Sequence, residues 1–201
     1  MNENEAISLW TGINYSGCNQ SDLEDIALRY YLSDGFEALN QNLLGNQLSQ
    51  RFSEEMKRAL FMSSDILSRK LNKLPNYRSE TMQLTLGQHN LFFQPLTSQY
   101  IDLPISRQHL PEHIVEQIRT TYEIQSPCFI SANLDWEVKQ KRPHRLIINS
   151  MTGKHVAEYS ENSDTENEVL FDKNTLFYVE EIEEYDSEIW FYLTEANDVG
   201  N

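Results

Sequence analysis

Apolar residues in the first third of the chain recur at helical spacing. Leu23, Ile26, Ala27 and Tyr30 follow the i, i+3, i+4, i+7 pattern of an amphipathic helix. Ser21 stands where an N-cap is expected, and Glu24, three residues on, would complete a capping box. Ser33-Asp34-Gly35 reads as a break. Phe36, Leu39, Asn40 and Leu43 form a second stripe, which Gly45 ends in the C-cap role. A longer stripe follows over residues 52–74, with Met56, Ala59, Leu60, Ile66, Leu67, Leu71 and Leu74, and Pro75 closes it. Residues 1–21 are polar, with Gly12, Gly17 and scattered asparagines, and read as a loose lead-in.

From Glu80 the period changes from helix to strand. Thr81-Met82-Gln83-Leu84-Thr85-Leu86 alternates until Gly87. Residues 129–131, 145–150, 155–159, 168–171, 176–179 and 189–193 read as further strands. Residues 104–111 form a proline-punctuated connection, and 113–122 fit a short helix. Helices first and strands afterwards predict an α+β fold with segregated elements, not alternating βαβ units. The chain shows no internal repeat, no low-complexity tract and no P-loop, GxGxxG or HExxH motif.

Composition narrows the function. The 201 residues suit one domain, with decorations at most, and 11% aromatic content supplies bulk for one core. The formal net charge of −15 argues against nucleic acid as a partner, because phosphates must be met by cations. It argues equally against an anionic membrane surface and favours basic partners. Cys18 and Cys128 are too few and too far apart for a disulfide framework or a structural zinc site. The histidines show no metal-ligand spacing with cysteines or carboxylates, so no metal is expected. No basic segment followed by an apolar one opens the chain. The expected location is the cytoplasm, or outside the cell by a route without a cleaved signal peptide.

The candidate chemistry lies near the C-terminal end. Glu166-Asn167-Glu168-Val169-Leu170-Phe171 puts two carboxylates two positions apart at the start of an apolar strand. Residues i and i+2 of a strand share a face. Such a pair can stabilise a developing positive charge and accept a proton. In a chain with 31 acidic residues, the same spacing also arises among ordinary solvated charges.

The surroundings of the pair carry a resemblance. Gly153-Lys154-His155-Val156-Ala157-Glu158-Tyr159-Ser160, a loop, and then Glu166-x-Glu168-Val169-Leu170 resemble the C-terminal part of the mono-ADP-ribosyltransferase family, in its exotoxin-like branch. Residues 27–45, 67–77 and 127–135 resemble earlier segments of that family in the same order. The resemblance runs from about Asp22 to Glu184. It implies N-terminal helices followed by a mostly antiparallel two-sheet core. Residues 22–194 would form the ADP-ribosyltransferase-like domain and 195–201 a tail. NAD is the implied substrate cofactor, and a protein with an acceptor arginine the implied partner.

The family cleaves the bond between nicotinamide and ribose through an oxocarbenium-like transition state, as in glycoside cleavage. By resemblance, Glu168 faces that charge and Glu166 orients and deprotonates the acceptor arginine. A carboxylate holds a guanidinium by a two-point contact, which gives the association a physical reason. Ser131 matches the first serine of the family's Ser-Thr-Ser motif, but Ala132 and Asn133 replace the other two residues. Gln83 falls where the family carries its cofactor-anchoring arginine. The loss of one charge-assisted contact there costs about 1.5–3 kcal/mol of binding. The basic run Lys139-Gln140-Lys141-Arg142-Pro143-His144-Arg145 offers Arg142 and Arg145 as substitute cations for a pyrophosphate. The rival expectation is a degenerate member of the fold that acts as a binding or regulatory module.

Overall fold

The structure is a computed structural model and describes residues 1–45, 47–85, 123–134, 144–160, 167–185 and 188–196. Two compact units emerge, one of Met1–Pro75 with Val156–Thr165, the other of Asn76–His155 with Glu166–Asn201. Among the described residues no helix is long and apolar enough to cross a membrane. The expected helix over 113–122 lies outside the described residues.

The first unit is helical. Its α1, Glu3–Thr11, lies within the expected lead-in. Asn2 caps it reciprocally with Glu5, and Gly12, at φ 75°, closes it. Ala6, Ile7 and Trp10 are buried, a three-residue stripe too short to stand out from its polar neighbours. The next helix, α2, spans Gln20–Tyr30, and Asn19 caps it rather than Ser21. The Asn19 side chain accepts from the Asp22 amide at 3.0 Å. Glu24 is 1% exposed, and both its oxygens accept from the Lys73 ammonium, at 2.8 and 2.6 Å. A carboxylate buried this deeply is retained only when paired, so tertiary contact overrides the expected capping box.

The Ser33-Asp34-Gly35 break is a π-helical turn, Tyr31–Gly35, which leads directly into α3, Phe36–Leu44. A Cβ on Gly35 would lie 2.6 Å from both the Trp10 and Tyr30 rings, so glycine is required by close approach. Gly45 ends α3 in the left-handed conformation, as the pattern predicts. The long stripe forms α4, Glu54–Lys73, which Ser53 caps and Leu74 ends. Ala59, Leu60, Ile66, Leu67 and Leu71 are buried along α4, which packs against α1, α2 and α3. Arg69 of α4 forks onto Glu3 at 2.8 and 2.9 Å. A 3-10 turn, Ala157–Tyr159, replaces most of the strand expected over 155–159.

The second unit is a strand ladder. In chain order its strands are β1 Glu80–Thr85, β2 Glu123–Gln125, β3 Ile130–Asn133, β4 His144–Asn149, β5 Lys154–His155, β6 Glu168–Phe171, β7 Leu176–Tyr185 and β8 Glu188–Glu195. They are ordered β2-β7-β8-β4-β1-β3-β6-β5. Every pairing is antiparallel except β4 with β8. Strand β1 meets β3 at one register, Met82 with Asn133. The ladder therefore reads as two sheets, β5-β6-β3 and β1-β4-β8-β7-β2, joined at that corner. This is the mostly antiparallel, two-sheet α+β core that the sequence predicts.

One face of the ladder builds a core from Ile130, Ala132, Leu146, Ile148, Val169, Phe171, Phe177, Phe191 and Leu193. Phe171 and Phe177 meet edge to face at 5.5 Å. Cys128 is buried, and burial pushes its thiol up to about 12, as suits a packing residue. The turn after β4 is held from β8. The buried Glu195 carboxylate accepts from the backbone amides of Met151 and Thr152 at 2.6 and 2.8 Å and from the Thr152 hydroxyl. Lys154, also buried, donates to the Asn76 side chain. Desolvation holds the Lys154 ammonium below the ordinary lysine range, while Glu195 and Asp172 pull the other way.

Candidate active site

Strand alternation builds the site. Ile130 and Ala132 of β3 point into the core with Val169 and Phe171 of β6. Ser131, Asn133, Glu168 and Leu170 therefore share the opposite face. The register pairs Asn133 with Glu168 and Ser131 with Leu170. Ser131 is thus the diagonal neighbour of Glu168, within reach of a side-chain contact. The Ser131 hydroxyl donates to Oε1 of Glu168. Glu168 is 8% exposed, so this donor lies against a carboxylate that bulk water hardly reaches. Leu134 continues the ladder past the site by donating its amide to the Asn167 carbonyl at 2.9 Å.

The turn before β5 leaves no space beside the backbone on the core face of β6. A Cβ on Gly153 would lie 2.6 Å from Oγ of Ser150, 2.8 Å from Cγ1 of Val169 and 2.9 Å from Cε1 of Phe171. Gly153 also accepts from the Tyr77 amide at 2.7 Å, which ties the chain before β1 to the chain before β5. The glycine in the Gly153-Lys154-His155 motif therefore serves close packing against the strand that carries Glu168.

The remaining sequence candidates fall differently. Glu166 and Arg142 lie outside the described residues. Gln83 sits in β1, where its backbone pairs with Leu146, a core residue. The neighbouring position, Met82, pairs with both Asn133 and Ile147. Arg145 sits in β4, in register with Leu84 on one side and Trp190 on the other. Its guanidinium lies over the Trp190 ring at 4.9 Å. Alternation from Ile147 puts Arg145 on the register face of Asn133 and Glu168. The period-2 pattern of β8, with Phe191 and Leu193 inward, is the signal that turns Trp190 outward. Asn133 is another position whose place opposite Glu168 only the register reveals. Among the described residues no group of three His, Cys, Asp or Glu side chains is placed to hold a metal ion.

Helices followed by a cornered antiparallel ladder have counterparts among solved structures. The ADP-ribosyltransferase Vis of Vibrio splendidus, in complex with agmatine, matches with a TM-score of 0.61 over 98% of this chain and 83% of its own, at 15% identity. The fold is that of the ADP-ribosyltransferases. The type III effector XopAI of Xanthomonas axonopodis pv. citri matches with a TM-score of 0.60 and 20% identity over 87% of this chain. The present chain spans 63% of that XopAI chain. Exoenzyme S of Pseudomonas aeruginosa, in complex with human 14-3-3 protein beta and bound to Carba-NAD, matches with a TM-score of 0.60 over 96% of this chain, at 16% identity. No protein-family model matches the sequence, and no curated protein does. An ADP-ribosyltransferase fold at such low identity explains why the tail motif and segment order are the features of the sequence that carry the resemblance.

Proposed function

We propose that this chain transfers ADP-ribose from NAD to an arginine side chain of a protein. The observation that carries this reading is the contact of Ser131 with the buried Glu168 carboxylate. A serine donor keeps that carboxylate in one orientation before substrate arrives, and a preorganised charge is worth most where water is excluded. In the proposed reaction the C1′–N bond of NAD breaks and nicotinamide leaves with the bonding electron pair. Glu168 faces the positive charge that develops on the ribose. An arginine nitrogen then bonds to C1′ and gives its proton to Glu166. Ser131 and Arg145 would hold the cofactor, with Arg142 as a further contributor.

Two findings on other proteins support the choice of substrates. Agmatine, which occupies the Vis structure, carries the same guanidinium group as arginine. Carba-NAD, bound to Exoenzyme S, is a NAD analogue. The effector described for XopAI supports a translocated role for this chain.

The test is a reaction of the full chain with NAD and agmatine, followed by mass spectrometry. The expected product is ADP-ribosyl-agmatine, formed by the native protein and not by Glu168→Gln. NAD consumption without any adduct on agmatine or on an arginine-containing protein would replace the arginine acceptor with water or another side chain. A second reading is favoured by Gln83 and by the Ser131-Ala132-Asn133 sequence: a degenerate member of the fold that binds a partner without turnover. A native protein that neither binds nor cleaves NAD would establish that reading in place of the first.

A further inference from the structure

The outer face of β2, β7 and β8 repeats one pairing three times. Phe177, Val179, Ile182, Phe191 and Leu193 pack toward the core, so the residues between them turn outward. A shift in register between Val179 and Glu181 keeps Ile182 inward and aims Glu181 outward. Across the strands, Glu123 then stands opposite Tyr178, Glu181 opposite Tyr192, and Glu183 opposite Trp190. Each pair sets a carboxylate beside an aromatic ring at cross-strand contact distance. Tyr178 is 42% exposed, Glu123 and Glu181 are exposed, and the other three are half-buried. The Tyr192 hydroxyl donates to Oε2 of Glu183 at 2.7 Å, which holds that carboxylate on this face. The face closes at β4, where Ile147, in register with Tyr192, is 2% exposed.

This chemistry selects cations. An aromatic face attracts a guanidinium or ammonium, and a carboxylate beside it adds a charge-assisted contact. The face already seats one such group of its own, because Arg145 stacks its guanidinium on Trp190 at 4.9 Å. A chain with a net charge of −15 adds long-range attraction for a basic partner. The spacing selects the partner's form. Tyr178, Glu181 and Glu183 stand against Thr194, Tyr192 and Trp190 of β8, at two-residue steps of about 7 Å. An extended peptide presents alternate side chains at the same interval. We propose that this face docks a basic, extended segment of a protein partner, with arginine or lysine at alternate positions. The proposal rests on the transferase reading and deepens it, since the docked segment belongs to the protein that carries the acceptor arginine.

Fluorescence anisotropy at low salt tests it on the full chain. The probe is a short labelled peptide that alternates arginine with serine. Native protein should bind it. Joint replacement of Glu123, Glu181 and Glu183 by glutamine should weaken binding by about tenfold or more. Tyr178→Ala should weaken it by about threefold. Joint replacement of Glu37, Glu55 and Glu158, exposed carboxylates of the helical unit, removes the same charge and should weaken it by less than about twofold. Transfer of ADP-ribose to agmatine, which is too small to span the face, should be unchanged in all of these variants. Circular dichroism and the unfolding midpoint identify a variant that fails to fold. In that case Glu123→Gln with Glu181→Gln, both exposed, takes the place of the triple replacement. Equal weakening by the two sets of replacements would overturn the docking face, because net charge alone would then explain the binding. Agmatine transfer by a native protein that ignores the peptide would overturn it too and leave the transferase reading standing. Peptide binding that is lost with the face, in a protein that forms no agmatine adduct, would keep the docking face and overturn the transferase reading.

Discussion

Replacement of Ser131 by alanine isolates the contact on which the proposed chemistry depends. The Ser131 hydroxyl donates to Oε1 of Glu168, and the carboxylate is 8% exposed. A hydrogen bond to a charged group contributes about 1.5–3 kcal/mol, and a buried acceptor that loses its donor gains little from solvent in return. If that orientation is used in the transition state, Ser131→Ala should slow nicotinamide release by about 10- to 150-fold, chiefly in kcat. Stability should fall as well, by about 1–3 kcal/mol, because the buried Glu168 carboxylate loses a donor, so rates are compared where both proteins are folded. Ser131→Thr retains the hydroxyl and should recover much of the rate. The assay is nicotinamide release from NAD under saturating and limiting substrate, with an unfolding curve for each variant. A Ser131→Ala protein that folds and turns over at the native rate would refute the role given to this contact. A loss confined to KM would show that the serine holds substrate and does not orient the glutamate.

Other outcomes follow from the same structure. Glu166→Ala should lower labelling of an arginine acceptor far more than NAD hydrolysis, because the acceptor needs positioning and water does not; equal loss of both, read by mass spectrometry and nicotinamide release, would deny that division. Gly153→Ala should destabilise the protein by about 1–3 kcal/mol in urea unfolding, because its Cβ would stand within 2.9 Å of Ser150, Val169 and Phe171 at once. Cys128 should resist alkylation by iodoacetamide at pH 8 in the folded protein while the half-buried Cys18 reacts, since burial pushes the Cys128 thiol up to about 12. The raised thiol also gives a sign for alkaline stability. Its contribution is intact below the unfolded thiol's range, near 9, and is lost between there and about 12, so Cys128→Ala should flatten the decline of stability in that window.

The parts of the fold that the sequence discloses are those where one periodic signal acts alone. The α4 stripe, the Gly45 cap and the strands at β4, β6 and β8 follow their patterns closely. The departures have tertiary causes. Glu24 looks like a capping-box residue but is drawn into a buried pairing with Lys73 of α4, and the cap moves to Asn19. Helix α1 is carried by Ala6, Ile7 and Trp10, too few to reveal a period among polar neighbours. Gly35 suggests a break, yet serves the approach of Trp10 and Tyr30 within a π-turn. Strand β2 has three residues, too few for alternation to register. At the site, Ser131 and Glu168 meet because the antiparallel register of β3 and β6 makes them diagonal neighbours on one face. The Arg145–Trp190 stack was not legible, since it depends on the parallel register of β4 with β8, two segments separated by most of the C-terminal half of the unit.

The most direct test of the central claim is the release of nicotinamide from NAD in the presence of agmatine, compared between native protein and Glu168→Gln. That substitution is nearly isosteric and keeps a group able to accept from Ser131, so the fold should stay intact while the charge is lost. We expect release and ADP-ribosyl-agmatine from the native protein and a fall in both to background in the variant. Equal release by the two proteins, with both folded, would contradict a role for the Glu168 carboxylate in cleaving NAD.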